Sequence, residues 1–217
     1  MHDSEDNVTQ LVLGASLVNY IEINHPSVEV CSLSGARMEN VENLLEKTEA
    51  QHNADLVKKV VVHLGTNDVT NNKNDVAQVI INYTLGLNTI REKFTKAEVF
   101  LTSIPPRYGR SEAVINHNEV STGVNRYLDR LASTDPMLHY LNTLPLLTYE
   151  KTGSPIKKLY DKRDNAGVHL NGDGKQVLKN AFLQALGITE IVLETKRKQQ
   201  FTPSSEEKTS KCKKECF

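Results

Sequence analysis

Cysteine is scarce in this 217-residue chain: Cys31 lies in an apolar strand, and Cys212 and Cys216 lie in a polar tail. Three cysteines so placed cannot make a disulfide framework for a folded core, which points to a reducing, cytoplasmic setting. Net charge is also lacking, because 26 Lys and Arg meet 27 Asp and Glu for a formal charge of −1. That balance argues against a nucleic-acid partner. The charge is uneven, however: seven Lys or Arg against three Glu after Thr195 give the tail +4 and leave −5 for the rest. No apolar run approaches the length of a membrane span. The start, "MHDSEDNVTQ", is acidic and polar, without the basic and apolar segments of a secretory signal. The Asn-x-Thr sequons at Asn7 and Asn82 therefore read as ordinary polar residues. A glycine-rich phosphate loop is missing as well: no G-x-G-x-x-G follows the first strand, and "NGDGK" lacks the first glycine.

What is present is an alternation. Apolar runs rich in β-branched residues, expected as strands at 10–14, 28–34, 59–65, 97–104 and 138–144, alternate with stretches of helical period. Met38, Val41 and Leu44 or Leu45 mark one helical stripe, and Val76, Val79 or Ile80, Tyr83, Leu87, Ile90 and Phe94 a longer one. Val120, Val124, Leu128 and Leu131 form a third, and Val177, Leu178, Phe182 and Leu186 form the last, after "HLNGDG". Strict alternation of this kind predicts a parallel sheet with crossover helices in one domain over 9–190. Residues 1–8 and the basic 191–217 are expected to be tails.

Unusual residues concentrate at the carboxyl ends of the first three strands: Gly14-Ala15-Ser16, Ser34-Gly35-Ala36 and Gly65-Thr66-Asn67-Asp68. In the flavodoxin-like order 2-1-3-4-5, those three ends line one crevice, where open α/β sheets bind ligands. The trio suits acyl transfer to a serine. The Ser16 and Gly35 N–H groups and the Asn67 amide are oxyanion donors, Gly35 admits a close approach of substrate, and a helix expected after Ser16 adds a favourable field. A hydroxyl also needs a base, and His169 in "DKRDNAGVHLNGDG" stands before the last helix at the same edge. Taken alone each residue has a blander use: Ser16 as a helix cap, Gly35 as a strand-end glycine, Asn67 and Asp68 as a turn or cap pair with Asp68 the cap, His169 as a surface histidine. His63 inside a strand is expected to be a hydrogen-bonded core residue, and His25, His52, His117 and His139 have no ligand spacing, so no metal is expected.

The blocks "GASL", "SGA", "GTND" and "GVHLN", in that order, resemble those of the SGNH hydrolases, also called GDSL-type esterases and lipases. The resemblance implies a three-layer α/β/α sandwich and metal-free, cofactor-free hydrolysis of a small-molecule carboxylic ester, acetylated sugar or thioester through an acyl-serine. The wording of the blocks, with "SIPPR" and "LYDKRD", is similar also to esterase-like domains of invertebrate proteins, some of them encoded by non-LTR retrotransposons. Two positions depart from the family pattern. Ala15 stands where the family has Asp before the nucleophile, and Ala166 stands where it has Asp three residues before the histidine. The acid's work is to orient the imidazole and stabilise the imidazolium. Asp164 is the first candidate to do it, because "DNAGVH" reads as the family's "DGVH" with Asn165 and Ala166 inserted, so that a bulge there brings it to His169 Nδ1; Asp161 is a poorer second and a backbone carbonyl the third. If none does, the chain is an impaired SGNH-fold binding module, such as part of a mobile-element protein. The segments "IPPRYGR" and 144–169 are expected to line the substrate pocket, the second as a lid, with Leu146, Leu147 and Tyr149 either accepting an acyl chain or packing under the loop. Arg107 reads as a solvated loop residue or as the partner of an anionic substrate group.

Overall fold

The β-branched runs form five strands, β1 (Gln10–Gly14), β2 (Val28–Ser32), β3 (Lys59–His63), β4 (Glu98–Thr102) and β5 (Leu138–Leu141). They pair in parallel in the order β2-β1-β3-β4-β5 in the computed structural model, which describes residues 8–72 and 75–189. The helices are α1 (Glu42–Leu45), α2 (Thr66–Asn71), α3 (Val76–Lys93), α4 (Glu112–Ala132), α5 (Leu144–Leu147) and α6 (Gly172–Leu186).

Period-two alternation splits each central strand between two cores. Leu11, Leu13, Val60 and Val62 pack with Leu44, Tyr83, Ile90, Val124 and Leu128 of α1, α3 and α4. Val12 and Val61 face the other way, onto Leu147, Leu178, Phe182 and the segment from Leu17 to Ile23. The sheet is thus covered on both faces, as its continuous apolar strands require. Phe182 is fully buried, and deleting a buried Phe ring typically costs about 3–5 kcal/mol.

Four strands stop two or three residues earlier than their apolar runs, because other groups capture the backbone there. Asn125 on α4 accepts from Ile104 N–H at 2.8 Å and donates to its carbonyl at 3.0 Å. The Thr143 N–H donates to Ser103 Oγ at 2.9 Å, and Pro145 then starts α5. A second difference lies after Ser16: residues 16–20 are turns, closed by Val18 N–H to Ala15 O and Ile21 N–H to Val18 O, so the helix expected there is absent. The field argument built on that helix falls with it. Asn82 lies in the middle of α3, buried and accepting from Gln78, where no glycan could be attached. Asn7, Cys212, Cys216, the tail 191–217 and all of the first tail but Val8 lie outside the described residues.

Candidate active site

Because β1 lies between β2 and β3, the chain leaves the sheet at three adjacent carboxyl ends and delivers Ser16, Gly35 and Asn67 to one edge. Gly35 has φ of 79°, a conformation that costs an L side chain, and open space where a Cβ would stand. Asn67 sits in the first turn of α2 and donates its amide to the Ala36 carbonyl at 3.1 Å. One amide hydrogen thus fixes the Gly35 loop, and the other has no partner among the described residues. Ser16, Asn67, His63, Thr66 and Val168 line one cavity of about 10 Å³, the size of a single water.

Asp68 is a cap, but not of its own helix. Fully buried, it accepts from the Met38 N–H at 2.9 Å and so caps the neighbouring turn at 38–40, while Gly65 occupies the start of α2. Burial raises the Asp68 pKa to about 6. The bond pins the segment after Gly35 to the segment carrying Asn67 from a second point.

His169 lies at the same edge, two residues before Asn171, whose side chain caps α6 through the Gly174 N–H at 3.1 Å. Its Nδ1 is 2.9 Å from Asp164 Oδ2. That oxygen also accepts from the Val168 N–H at 2.7 Å and the His169 N–H at 2.6 Å, while Oδ1 accepts from the Ala166 N–H at 2.9 Å. Residues 164–167 make a turn, closed by Gly167 N–H to Asp164 O, that absorbs Asn165 and Ala166 and returns the carboxylate to the imidazole. Burial alone would raise the Asp164 pKa, but the three N–H groups and the imidazole outweigh it and hold the carboxyl below its ordinary value. Asp161 is turned elsewhere: Arg163 grips both of its oxygens, at 3.2 and 3.1 Å. Gly167 has φ of 63°, and a Cβ there would run into the Tyr108 carbonyl. This contact is sealed by Tyr108 N–H donating to Gly167 O at 2.8 Å.

Ser16 and Val168 share the cavity, yet among the described residues no hydrogen bond joins Ser16 to His169. The His169 side chain is half exposed, and hydrogen bonds of this kind commonly tighten only around a bound substrate.

The structure adds to the reading of three residues. His63 is the expected core histidine, but it also lines the cavity. Thr102 Oγ1 donates to the Val62 carbonyl at 3.1 Å, so it accepts from His63 Nδ1 at 2.7 Å, which leaves Nε2 as a buried acceptor without a partner. Burial pushes this imidazole down to about 4. Its place two residues before "GTND", on the strand face opposite Val62, was the available signal. Arg107 is not a solvated residue: it is half-buried, donates to Thr70 Oγ1 at 2.6 Å, and feels the charge of Asp164. Asn118 of α4 clamps its backbone with two bonds, 2.8 and 3.0 Å. Leu147 is fully buried in the second core and so packs under its loop, whereas Leu146 and Tyr149 are exposed. Among the described residues, no group of three or more His, Cys, Asp or Glu could hold a metal ion, and no helix is long and apolar enough to cross a membrane.

A five-stranded parallel sheet between helical layers, with Ser, Gly, Asn and His blocks meeting at one edge, defines the SGNH-type α/β hydrolase class. The sequence matches the GDSL-like lipase/acylhydrolase family over residues 4–177, and the chain belongs to that family. No curated protein matches it. Solved structures share the fold. A Streptococcus pneumonia protein provisionally named a platelet activating factor superposes with a TM-score of 0.65 at 21% identity, over 85% of this chain and 86% of that one. The lipase Lip_vut3 from a goat rumen metagenome gives 0.59 at 17%, over 83% and 98%. A carbohydrate esterase family 3 protein from Talaromyces cellulolyticus gives 0.57 at 17%, over 82% and 96%.

Proposed function

We propose that the chain hydrolyses a carboxylic ester, acetyl ester or thioester of a small molecule through an acyl-serine. Ser16 Oγ attacks the carbonyl carbon while His169 Nε2 takes its proton. The tetrahedral oxyanion is held by the Ser16 and Gly35 N–H groups and the free Asn67 amide hydrogen. Collapse expels the alcohol, which receives the proton from His169, and water then releases the acid by the same steps in reverse. Asp164 holds the imidazole with its proton on Nδ1 and stabilises the imidazolium. The cytoplasmic setting expected from cysteine usage belongs to this proposal, and the buried free thiol of Cys31 is compatible with it.

The observation that carries the proposal is the 2.9 Å contact of Asp164 with His169 Nδ1, next to a cavity shared by Ser16 and Asn67. It supplies an acid where the family's usual position is Ala166. The rival reading, a binding module without turnover, draws on the missing Ser16–His169 bond. Turnover of 4-nitrophenyl acetate by the wild type, Ser16→Ala and His169→Ala separates the two. The enzyme reading expects hydrolysis above the buffer rate that both substitutions abolish. Wild-type turnover unchanged by either substitution, or absent in a well-folded wild type, counts against it.

A further inference from the structure

We infer that Arg107 is a specificity-determining residue, which receives a carboxylate or similar anionic group carried by the ester that this site takes. The inference deepens the ester-hydrolase reading above and rests on it. Arg107 stands in the loop after β4, and two hydrogen-bonded links tie it to the walls of the Ser16 cavity. On one side its Nη2 donates to Thr70 Oγ1 at 2.6 Å, and that hydroxyl donates to the Thr66 carbonyl at 3.0 Å. On the other side the next residue, Tyr108, donates its N–H to the Gly167 carbonyl at 2.8 Å. Thr66 and Val168, the neighbour of Gly167, both line the cavity with Ser16 and Asn67. Arg107 is thus fastened to the helix of Asn67 and to the loop of His169 at once.

The backbone that carries it is held at every step. Asn125 fixes Ile104, Tyr160 donates its hydroxyl to the Pro106 carbonyl at 2.7 Å, and Asn118 makes two bonds to Arg107 itself. A side chain on so fixed a loop meets a ligand with little ordering left to do. Its charge, in contrast, is unanswered. Among the described residues Arg107 makes no ion pair, and Thr70 is the one hydrogen-bond partner of its guanidinium. Its Nε is buried without a partner. Arg107 feels the charge of Asp164, but that carboxylate is engaged by His169 and three backbone N–H groups. Thr70 and Asn118 are neutral. Buried His117, with its pKa lowered to about 3 by burial and then by Arg107, brings no negative charge either. A half-buried cation without a counter-charge is costly, and an anion that reaches it relieves the cost through charge-assisted hydrogen bonds. The planar fork of an Arg matches a carboxylate in particular.

Small esters titrated into the full chain carrying Ser16→Ala test this, because without the nucleophile binding is read apart from turnover. Two anions place the carboxylate on different halves of the ester: monomethyl succinate on the acyl half, acetoxyacetate on the alcohol half. Each is compared with its neutral methyl ester, dimethyl succinate or methyl acetoxyacetate. NMR follows both the affinity and the Arg107 Nε–H signal, whose burial slows its exchange with water. The expected result is that one of the anions binds at least about tenfold tighter than its methyl ester, the strength of a charge-assisted hydrogen bond, and shifts the Nε–H signal. The preference should be lost when Arg107→Gln is added and retained in part with Arg107→Lys, which keeps the charge. The half that carries the preferred carboxylate is then the half that faces Arg107. No preference for either anion, or a preference that survives in a folded Arg107→Gln chain, overturns the inference. So does an anion that binds more tightly without moving the Arg107 signal. Failure of the hydrolase reading registers separately, as wild-type protein that leaves 4-nitrophenyl acetate at the buffer rate.

Discussion

Replacing Asp164 by Asn probes the part of the site where this chain departs most from its family. The carboxylate takes three donors on Oδ2, namely Val168 N–H, His169 N–H and His169 Nδ1, and one on Oδ1, Ala166 N–H. An Asn in this place must turn its carbonyl to the three donors, since the reverse orientation would set two hydrogens against them. The amide then faces the Ala166 N–H and one bond is lost. A single bond at a partly exposed loop is worth about 1 kcal/mol, so the melting temperature should fall by only a few degrees. The Nδ1 proton keeps an acceptor, and the tautomer survives. What disappears is the negative charge opposite the imidazolium. Charge-assisted hydrogen bonds contribute about 1.5–3 kcal/mol, which is the loss expected at the imidazolium. That corresponds to a fall of about 10–10² in kcat on 4-nitrophenyl acetate, smaller than the roughly 10⁴ known for a buried triad acid, because the His169 side chain is half exposed and Oδ2 is shared among three donors. Steady-state kinetics beside thermal melts measure both effects. A kcat within a factor of about two of wild type would refute the role given to Asp164, since no other carboxylate hydrogen-bonds the His169 ring among the described residues.

Asn67→Ala should lower kcat on the same ester about a hundredfold or more, and it also frees the Ala36 carbonyl; an intact rate removes Asn67 from the oxyanion site. Gly167→Ala combines a positive φ with a clash against the Tyr108 carbonyl, so stability should drop by more than about 2 kcal/mol in urea melts, and a neutral effect would mean the 108–167 contact is not as drawn. Buried His63, with its pKa lowered from 6.5 to about 4, favours folding fully only above pH 6.5 and loses that contribution, about 3 kcal/mol, as pH falls through its folded value. Buried His117, lowered to about 3, acts in the same direction. Asp68 acts in the opposite one: its pKa is raised from 3.8 to about 6, so it weakens folding by up to about 3 kcal/mol as pH rises across that span. Urea melts from pH 4 to 7 should show His63→Phe losing part of the acid sensitivity of the wild type, and Asp68→Asn gaining stability on it toward pH 7; unchanged slopes in both would contradict the burial argument.

The layered architecture was legible because the hydrophobic pattern states it directly: continuous β-branched runs need cover on two faces, and the helical stripes at Met38, Val76, Val120 and Val177 supply it. Strand ends were less legible, since the side chains that cut them short, Asn125 and Ser103, lie far away in sequence. The turns after Ser16 read as a helix because Ser followed by apolar residues is the pattern of a capped helix as well. For His169 the sequence left three partners open. The inserted Asn165-Ala166 pair pointed to Asp164 first, and the turn at 164–167 does bring it to Nδ1 and leaves Asp161 to Arg163. Arg107 misled for a related reason: its loop composition suggests solvent, whereas Asn118 and Thr70 draw it inward.

The central claim is that Ser16 is an activated nucleophile. Intact-mass measurement of the wild type and Ser16→Ala after exposure to a fluorophosphonate probe tests it most directly. The account predicts one covalent adduct on the wild type and none on the variant; a folded wild type that stays unlabelled, or a variant that labels equally, would contradict it.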